Sequence, residues 1–194
     1  MKKIILLLSF MWEAIALPAQ ETNEHLTFKG IPVDGTLKEF TAKLKQKGFI
    51  HIDSEEGCAM FRGDFAGYKN CMAVAVSPKE KDLVCKVAVI FPSCDKWAEL
   101  ESNYMFLKQM LTEKYGKPSE CVEEFQSFLP PEDDNQKMYE LQFDRCKYYS
   151  VFETEKGSIE LQLSHQSVIE CFVVLSYYDG INQKAVLSNA MDDL

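Results

Sequence analysis

The sequence has little of what most metal and catalytic centres need. It contains three histidines in 194 residues, and no two of its seven cysteines form a Cys-x-x-Cys pair. Zinc sites draw most of their ligands from these two residue types at close spacing, so the sequence predicts no metal site. It also lacks a glycine-rich phosphate loop, a nucleophile elbow and a paired zinc-histidine helix. We therefore predict no cofactor and assign no catalytic residue.

The chain also lacks an apolar run long enough to span a bilayer, which takes about 20 residues. Its most apolar segment is residues 4–12, which follows two lysines and precedes several small residues. A positive start, a short apolar core and small residues are the order of a secretory signal. We predict a signal peptide over residues 1–19, cleaved after Ala16 or Ala19. No cysteine follows either site, so we expect a periplasmic or secreted protein without membrane insertion.

Positive charge is in deficit. The chain has 21 Lys and Arg against 30 Asp and Glu, a formal net charge of −9. An acidic surface repels phosphate backbones and anionic lipids. This balance argues against nucleic acid and membrane surfaces as partners and indicates little else, since a modest net charge also keeps a domain in solution.

The cysteines fit an exported chain in which some disulfide pairing is expected. Because their number is odd, a monomer keeps at least one free thiol or pairs between chains. Cys94 lies where a helix is predicted to begin, and a helix N-terminus favours a thiolate. It is therefore the one candidate nucleophile, but the adjacent Asp95 opposes a thiolate and a disulfide or an inert thiol is the favoured interpretation.

Periodicity predicts an α+β fold of antiparallel meanders packed against helices. Helices are expected at residues 36–47, 95–115 and about 181–192, the first with a capping box at Thr36 and Glu39. The predicted strands are residues 26–28, 49–52, 60–65, 68–76, 83–91, 139–152, 158–164 and 169–178. Residues 119–136 are predicted to form a loop.

The chain also suggests an internal duplication. Residues 84–91 resemble residues 170–177 in their alternation, each starting its apolar series at a cysteine. One interpretation is two helix-plus-meander units, at residues 20–94 and 95–194, after the signal peptide. The other is that any two buried strands look alike at a period of two.

The alternation also predicts which residues face the core. Met72 and Val74 are assigned to the core face of their strand, with Cys71 on the opposite side, whereas Cys85 and Cys171 are assigned to the core. The predicted hairpin at residues 156–157 places Phe152 opposite Leu161, and the next pairing places Leu161 opposite Cys171. A single register then gives one apolar face.

The strand at residues 169–178 is apolar on both faces. Its outer side carries Phe172, Val174 and Tyr178, and Tyr149 lies on the outer side of a nearby strand. Either another element covers this face or it is an exposed binding surface. Aromatic residues dominate protein-binding surfaces. We therefore predict a non-catalytic binding or inhibitor-like module that acts on another protein, the alternative being a thiol-dependent extracytoplasmic enzyme that uses Cys94.

Several segments carry a resemblance to known proteins. Residues 61–67, 114–118 and 148–157 together resemble uncharacterised exported proteins of Bacteroidetes. The predicted layout, though not the residues, is similar to that of the tandem-repeat β-lactamase inhibitor protein. The first resemblance implies a periplasmic or secreted protein and no particular activity. The second implies a fold, which does not determine function.

Overall fold

The computed structural model describes residues 24–78, 81–166 and 170–192, with side chains described up to residue 188. The predicted signal peptide lies outside these residues. The helices are α1 (Leu37–Gln46), α2 (Trp97–Tyr115), α3 (Asp134–Gln142) and α4 (Gly180–Asp192). The strands are β1 (Thr27–Phe28), β2 (Ile31–Pro32), β3 (Ile50–Glu55), β4 (Cys58–Phe65), β5 (Tyr68–Val76), β6 (Lys86–Ile90), β7 (Glu120–Phe125), β8 (Cys146–Thr154), β9 (Gly157–Gln166) and β10 (Glu170–Asp179).

One antiparallel sheet of eight strands organises the molecule. Its order is β3-β4-β5-β6-β10-β9-β8-β7, and β1 pairs with β2 in a separate two-stranded ribbon. The α+β class with antiparallel meanders is therefore confirmed. The first meander ends at β6 and the second at β10, and these two strands pair with Ile90 opposite Val174. The two meanders thus form one continuous sheet.

The helix at α1 begins and ends where the sequence predicts. The Thr36 hydroxyl accepts from the Glu39 amide at 3.2 Å, and the Glu39 carboxylate accepts from the Thr36 amide at 3.0 Å. This reciprocal pair satisfies two amides that have no partner within the helix. Phe40 and Leu44 are fully buried, so packing of one apolar stripe adds to the cap.

Both halves of the fold follow the same order of elements. α1 precedes the meander β3 to β6, and α2 precedes β7 to β10. The second half differs by an inserted helix, α3, between β7 and β8, and by the terminal helix α4. The duplication and its two units remain predictions.

The region between α2 and β9 differs most from the prediction. Residues 119–136 contain strand β7, and the strand predicted at residues 139–152 begins only at β8 because α3 comes first. Asp133 caps α3 by accepting from the Gln136 amide at 2.9 Å. Met138 and Leu141, three residues apart, are its buried apolar residues. A helix of nine residues shows the 3.6-residue period only once or twice, and the sequence therefore reads equally well as a strand.

The face assignment of β5 is wrong. Cys71 and Ala73 are fully buried under the helices, whereas Met72 and Val74 lie on the opposite face and are partly exposed. β5 is apolar on both faces, so a period of two cannot tell which one is covered. Cys85 and Cys171 are buried as predicted, at 7% and 0% exposure, and all seven cysteines are free thiols.

The predicted strand registers are displaced by an even number of residues. Phe152 lies opposite Ile159 rather than Leu161, because Gly157 is the first residue of β9 and not part of the turn. Leu161 lies opposite Leu175 rather than Cys171. An even displacement leaves every side chain on its predicted face, which is why the core face of these strands was assigned correctly.

A buried carboxylate joins the two ends of the described chain. Asp179 at the end of β10 is fully buried and accepts from the Leu26 and Asn182 amides, both at 2.8 Å. His25 Nδ1 lies 3.0 Å from the same carboxylate. Asn182 in turn donates its side-chain amide to the carbonyl of Val84 at 2.9 Å. These bonds fix the start of α4 against the N-terminal segment and the short segment that leads into β6.

Candidate protein-binding face

The large sheet has one covered face and one open face. Along β6, Val87 and Val89 are fully buried, whereas the residues that alternate with them, Lys86, Ala88 and Ile90, are partly exposed. The same alternation runs through β5 and β9. α2 packs on the covered face, as the contact between the hydroxyls of its Tyr104 and of Ser150 (2.7 Å) shows. The side pointing away from α2 is the open face.

An apolar patch occupies the centre of the open face. The ladder places Met72 opposite Ile90 and Ile90 opposite Val174, so one row crosses β5, β6 and β10. The next row joins Met60, Val74 and Ala88 across β4, β5 and β6. All six side chains are partly exposed. The apolar patch is defined as Met60, Met72, Val74, Ala88, Ile90 and Val174.

The four predicted binding residues share the open face. Val174 belongs to the apolar patch, and Tyr149 is in the same row as Val174 with Gln162 between them. Strands are about 4.8 Å apart, so Tyr149 and Val174 are about 10 Å apart. Tyr178 and Tyr149 are partly exposed, but Phe172 is only 8% exposed. Phe172 therefore offers a partner less area than the other three.

Hydrogen bonds and a cation hold the two tyrosines. The Tyr178 hydroxyl donates to the Glu160 carboxylate at 3.2 Å, and Lys86 Nζ lies 4.7 Å from the centre of the Tyr178 ring. The Tyr149 hydroxyl donates to Glu120. Aromatic side chains that are already held lose little conformational entropy when they bind a partner.

Charge on the open face is unevenly distributed. On β7, β8 and β9 this face has more carboxylates than lysines. The sheet register places these charged side chains on the same face as Tyr149. These residues are Glu120, Glu124, Glu153 and Glu160, with Lys147. On the other side of the patch, Arg62 lies opposite Met72. The open face is thus apolar at its centre and acidic towards β7.

Sequence reasoning missed part of this face. Met60, Met72 and Ile90 belong to the patch, but Met72 was assigned to the core. The small size of Ala73 and Ala75, which alternate with Met72 and Val74, could have indicated that they form the covered face of β5. Small residues allow another element to approach a sheet closely.

The surroundings of Cys94 do not favour a nucleophile. Burial raises the pKa of the Cys94 thiol, and Glu99 and Asp95 raise it further, although a 3.3 Å bond from the Asn103 amide opposes them. The open cleft beside it is lined by Ser93, Asp95 and Glu170. A thiolate is therefore disfavoured where a nucleophile would need one.

The described histidines do not line that cleft. His51 lies on the edge strand β3 and contacts the Ser54 hydroxyl at 2.7 Å. His165 contacts the Asp144 carboxylate at 3.1 Å. A thiol-dependent enzyme, the alternative function, needs an imidazole beside Cys94, and this geometry does not provide one.

The described residues offer neither a metal cluster nor a membrane-spanning helix. No group of three or more His, Cys, Asp or Glu side chains among them is arranged to hold a metal ion. No helix in the same part of the chain is both long and apolar enough to cross a membrane.

Comparison with known proteins finds no match: no family model, curated protein or solved structure is significantly similar to this chain.

Proposed function

We propose that this protein is a non-catalytic, exported binding module that holds another protein on its open face. One observation carries the proposal: the central strands keep two adjacent rows of apolar side chains partly exposed on one face while the other face is buried. Apolar patches of this kind mark protein interaction sites. A signal peptide at residues 1–19 would place the protein in the periplasm or outside the cell.

The charge of the open face indicates the chemistry of the partner. Glu160 lies on β9 next to the patch strand β10, and Glu153 and Glu120 follow on β8 and β7. A complementary surface presents an apolar protrusion to the patch, with Lys or Arg side chains on one flank. The net charge of −9 favours the approach of a basic protein as well. An inhibitor-like effect would follow if the protrusion belongs to the partner's own functional site.

Site-specific photocrosslinking tests this surface. A benzophenone amino acid replaces Ile90 or Val74 on the open face, and the matched control replaces Phe106, which is 52% exposed on α2. Each protein is irradiated with the extracytoplasmic proteins of its native host. We expect the same adduct from both open-face positions and none from position 106. Equal capture at all three positions, or capture at position 106 alone, would contradict the proposal.

Substitutions connect the adduct to the patch and to its charge. Val174→Asp puts a carboxylate in the apolar patch and should reduce capture at least tenfold, whereas Gln109→Asp on exposed α2 should leave it unchanged. Glu153→Lys should weaken capture less and make it less sensitive to salt. Thermal unfolding of each variant verifies that its fold is retained. If the yield of crosslinked partner is the same for Val174→Asp, Glu153→Lys and the unmodified protein, the partner is not bound by this face.

We also infer that the two halves arose by duplication. The two segments that resemble each other, at residues 84–91 and 170–177, overlap the paired central strands β6 and β10. Val87 and Val89 in one, and Val173 and Leu175 in the other, all lie buried on the covered face. The two helix-plus-meander halves therefore meet at corresponding strands. Expression of residues 20–94 alone tests the inference: a folded dimer would support it, and an unfolded chain would count against an independent unit.

A further inference from the structure

Two buried cysteines face each other where the first half of the chain meets the second. Cys94 lies in the segment between β6 and α2, and its amide donates to the carbonyl of Cys171 in β10 at 2.8 Å. The two residues form an antiparallel bridge outside the named ladders. Directly opposed residues in such a pair project their side chains from the same face. Their exposures are 5% for Cys94 and 0% for Cys171.

The spacing of an antiparallel pair is close to what a disulfide needs. Opposed residues have Cα atoms about 4.5–5.5 Å apart, within the roughly 4.4–6.8 Å that disulfides span. Their Cβ atoms are typically about 4.5–5.5 Å apart, so closure to the usual 3.5–4.5 Å takes a shift of about 1 Å. The regular β6–β10 ladder ends before Cys94, at Ile90; Phe91 still donates its amide to the Val173 carbonyl, and Pro92 and Ser93 follow before Cys94. A segment outside the regular ladder can make that shift more easily than a residue within it.

We propose that Cys94 and Cys171 form a disulfide bond that ties the segment preceding α2 to the central strand β10. Each thiol loses its proton, one Sγ–Sγ bond forms, and two electrons pass to a disulfide oxidant such as oxidised glutathione. The oxidant is itself reduced to two thiols, by way of a mixed disulfide with one cysteine. Cys94 also borders the open cleft lined by Ser93, Asp95 and Glu170.

The bond forms more readily during folding than in the finished fold. Burial raises the pKa of the Cys94 thiol, and burial also raises the pKa of Cys171. The thiolate is the attacking species, so it is scarce once both side chains are enclosed. The same holds for a third cysteine, Cys146: burial, with smaller contributions from Glu140 and Cys171, raises its pKa to about 12.

The bond would restrain β10, the strand that contributes Phe172 and Val174 to the open face. The loop between Cys94 and Cys171 contains α2, β7, α3, β8 and β9, so closing it restricts a large part of the unfolded chain. The residue after Cys171 is Phe172 on the open face, and Val174 of the apolar patch follows two residues later. Pinning β10 at Cys171 therefore also restrains this part of the patch.

Refolding in a thiol–disulfide buffer tests the proposal. The chain without residues 1–19 is unfolded, refolded in reduced and oxidised glutathione, quenched with N-ethylmaleimide and mapped by mass spectrometry without reduction. We expect a peptide that links Cys94 to Cys171, formed faster during refolding than when the reduced native protein is placed in the same buffer. The oxidised protein should melt about 5–15 °C above the reduced one.

Single substitutions assign that difference in melting temperature. Cys94→Ser and Cys171→Ser should each abolish it, whereas Cys85→Ser, which alters a buried cysteine just before β6, should preserve it. If a serine variant does not fold, the peptide map of the unmodified chain still decides the question. Recovery of both Cys94 and Cys171 with maleimide labels, or of Cys171 linked to Cys146, would overturn the proposal.

Discussion

The two faces of the sheet differ most clearly along β5. Ala73 and Ala75 are fully buried on the covered face, whereas Met72 and Val74, which are larger, keep partial exposure on the open face. If hydrophobic size alone decided burial, the larger residues would lie under the helices. Small residues on the covered face let other elements pack closely, and the larger ones on the open face supply apolar area that this chain does not itself fully bury. The two faces therefore differ in residue size as well as in exposure.

The largest expected contrast compares two neighbouring residues on β10. Leu175 is 2% exposed on the covered face, and Val174 is partly exposed in the apolar patch. Leu175→Ala leaves a cavity in the core and should lower the free energy of unfolding by about 2–5 kcal/mol. Val174→Ala should cost less than about 1 kcal/mol, because water already reaches the site. Urea unfolding of both variants measures the difference, and equal losses would mean that the open face is covered.

A second contrast compares two carboxylates. Asp179 is fully buried and uses both oxygens, whereas Glu160 on the open face accepts from the Tyr178 hydroxyl. In Asp179→Asn an amide group must face either the Leu26 or the Asn182 amide, leaving a buried donor unsatisfied at a cost of about 1–3 kcal/mol. Glu160→Gln still offers an acceptor and should change stability by less than about 0.5 kcal/mol. Chemical denaturation at neutral pH measures both values. A larger loss for Glu160→Gln would reverse the roles assigned to the faces.

Local signals identified much of the fold, but not its exceptions. The cap at Thr36 and the apolar stripe of α2 placed two helices within two residues of their ends. Short elements failed because α3 and β7 are too brief for a period to separate helix, strand and loop. The pairing of β6 with β10 joins residues more than 80 positions apart, and nothing local in the chain encodes it.

The sequence predicts which residues of β10 share a face, but not which face of β5 the helices cover. Alternation along β10 correctly grouped Val174 and Tyr178, and even register errors left that grouping intact. It could not show which side of β5 was covered, so Met72 was wrongly assigned to the core. Only the three-dimensional placement of the helices distinguishes two apolar faces of one strand.

A third, smaller contrast compares tyrosine hydroxyls. Tyr104 on α2 is fully buried with its hydroxyl 2.7 Å from that of Ser150, whereas the Tyr178 hydroxyl bonds Glu160 on the open face. Tyr104→Phe should cost about 1 kcal/mol, the usual value of a buried hydrogen bond. Tyr178→Phe should cost less than about 0.5 kcal/mol, since water replaces the lost contact. Thermal unfolding of both variants measures the order, and similar values would show that burial does not separate these bonds.

The smallest expected effect is on how far the free energy of unfolding falls at alkaline pH, and it comes from Tyr148 on the covered face. Tyr148 packs there against Trp97 and Tyr104, with ring centres 5.3 Å and 5.8 Å away. Burial, with smaller contributions from Glu101, Cys146 and other groups, raises the pKa of Tyr148 to about 12, above its ordinary value near 10.

Above pH 10 the unfolded chain releases a proton that the folded protein keeps at Tyr148. The contribution of this residue to stability is therefore complete below pH 10 and is lost as the pH rises towards 12. Tyr148→Phe removes the phenol, so its stability should fall less than that of the unmodified protein between about pH 8 and pH 10.5. Partial exposure of the ring limits the difference to less than about 1 kcal/mol. Urea midpoints at the two pH values measure it, and an equal fall in both proteins would mean that this phenol ionises as freely in the folded state as in the unfolded chain.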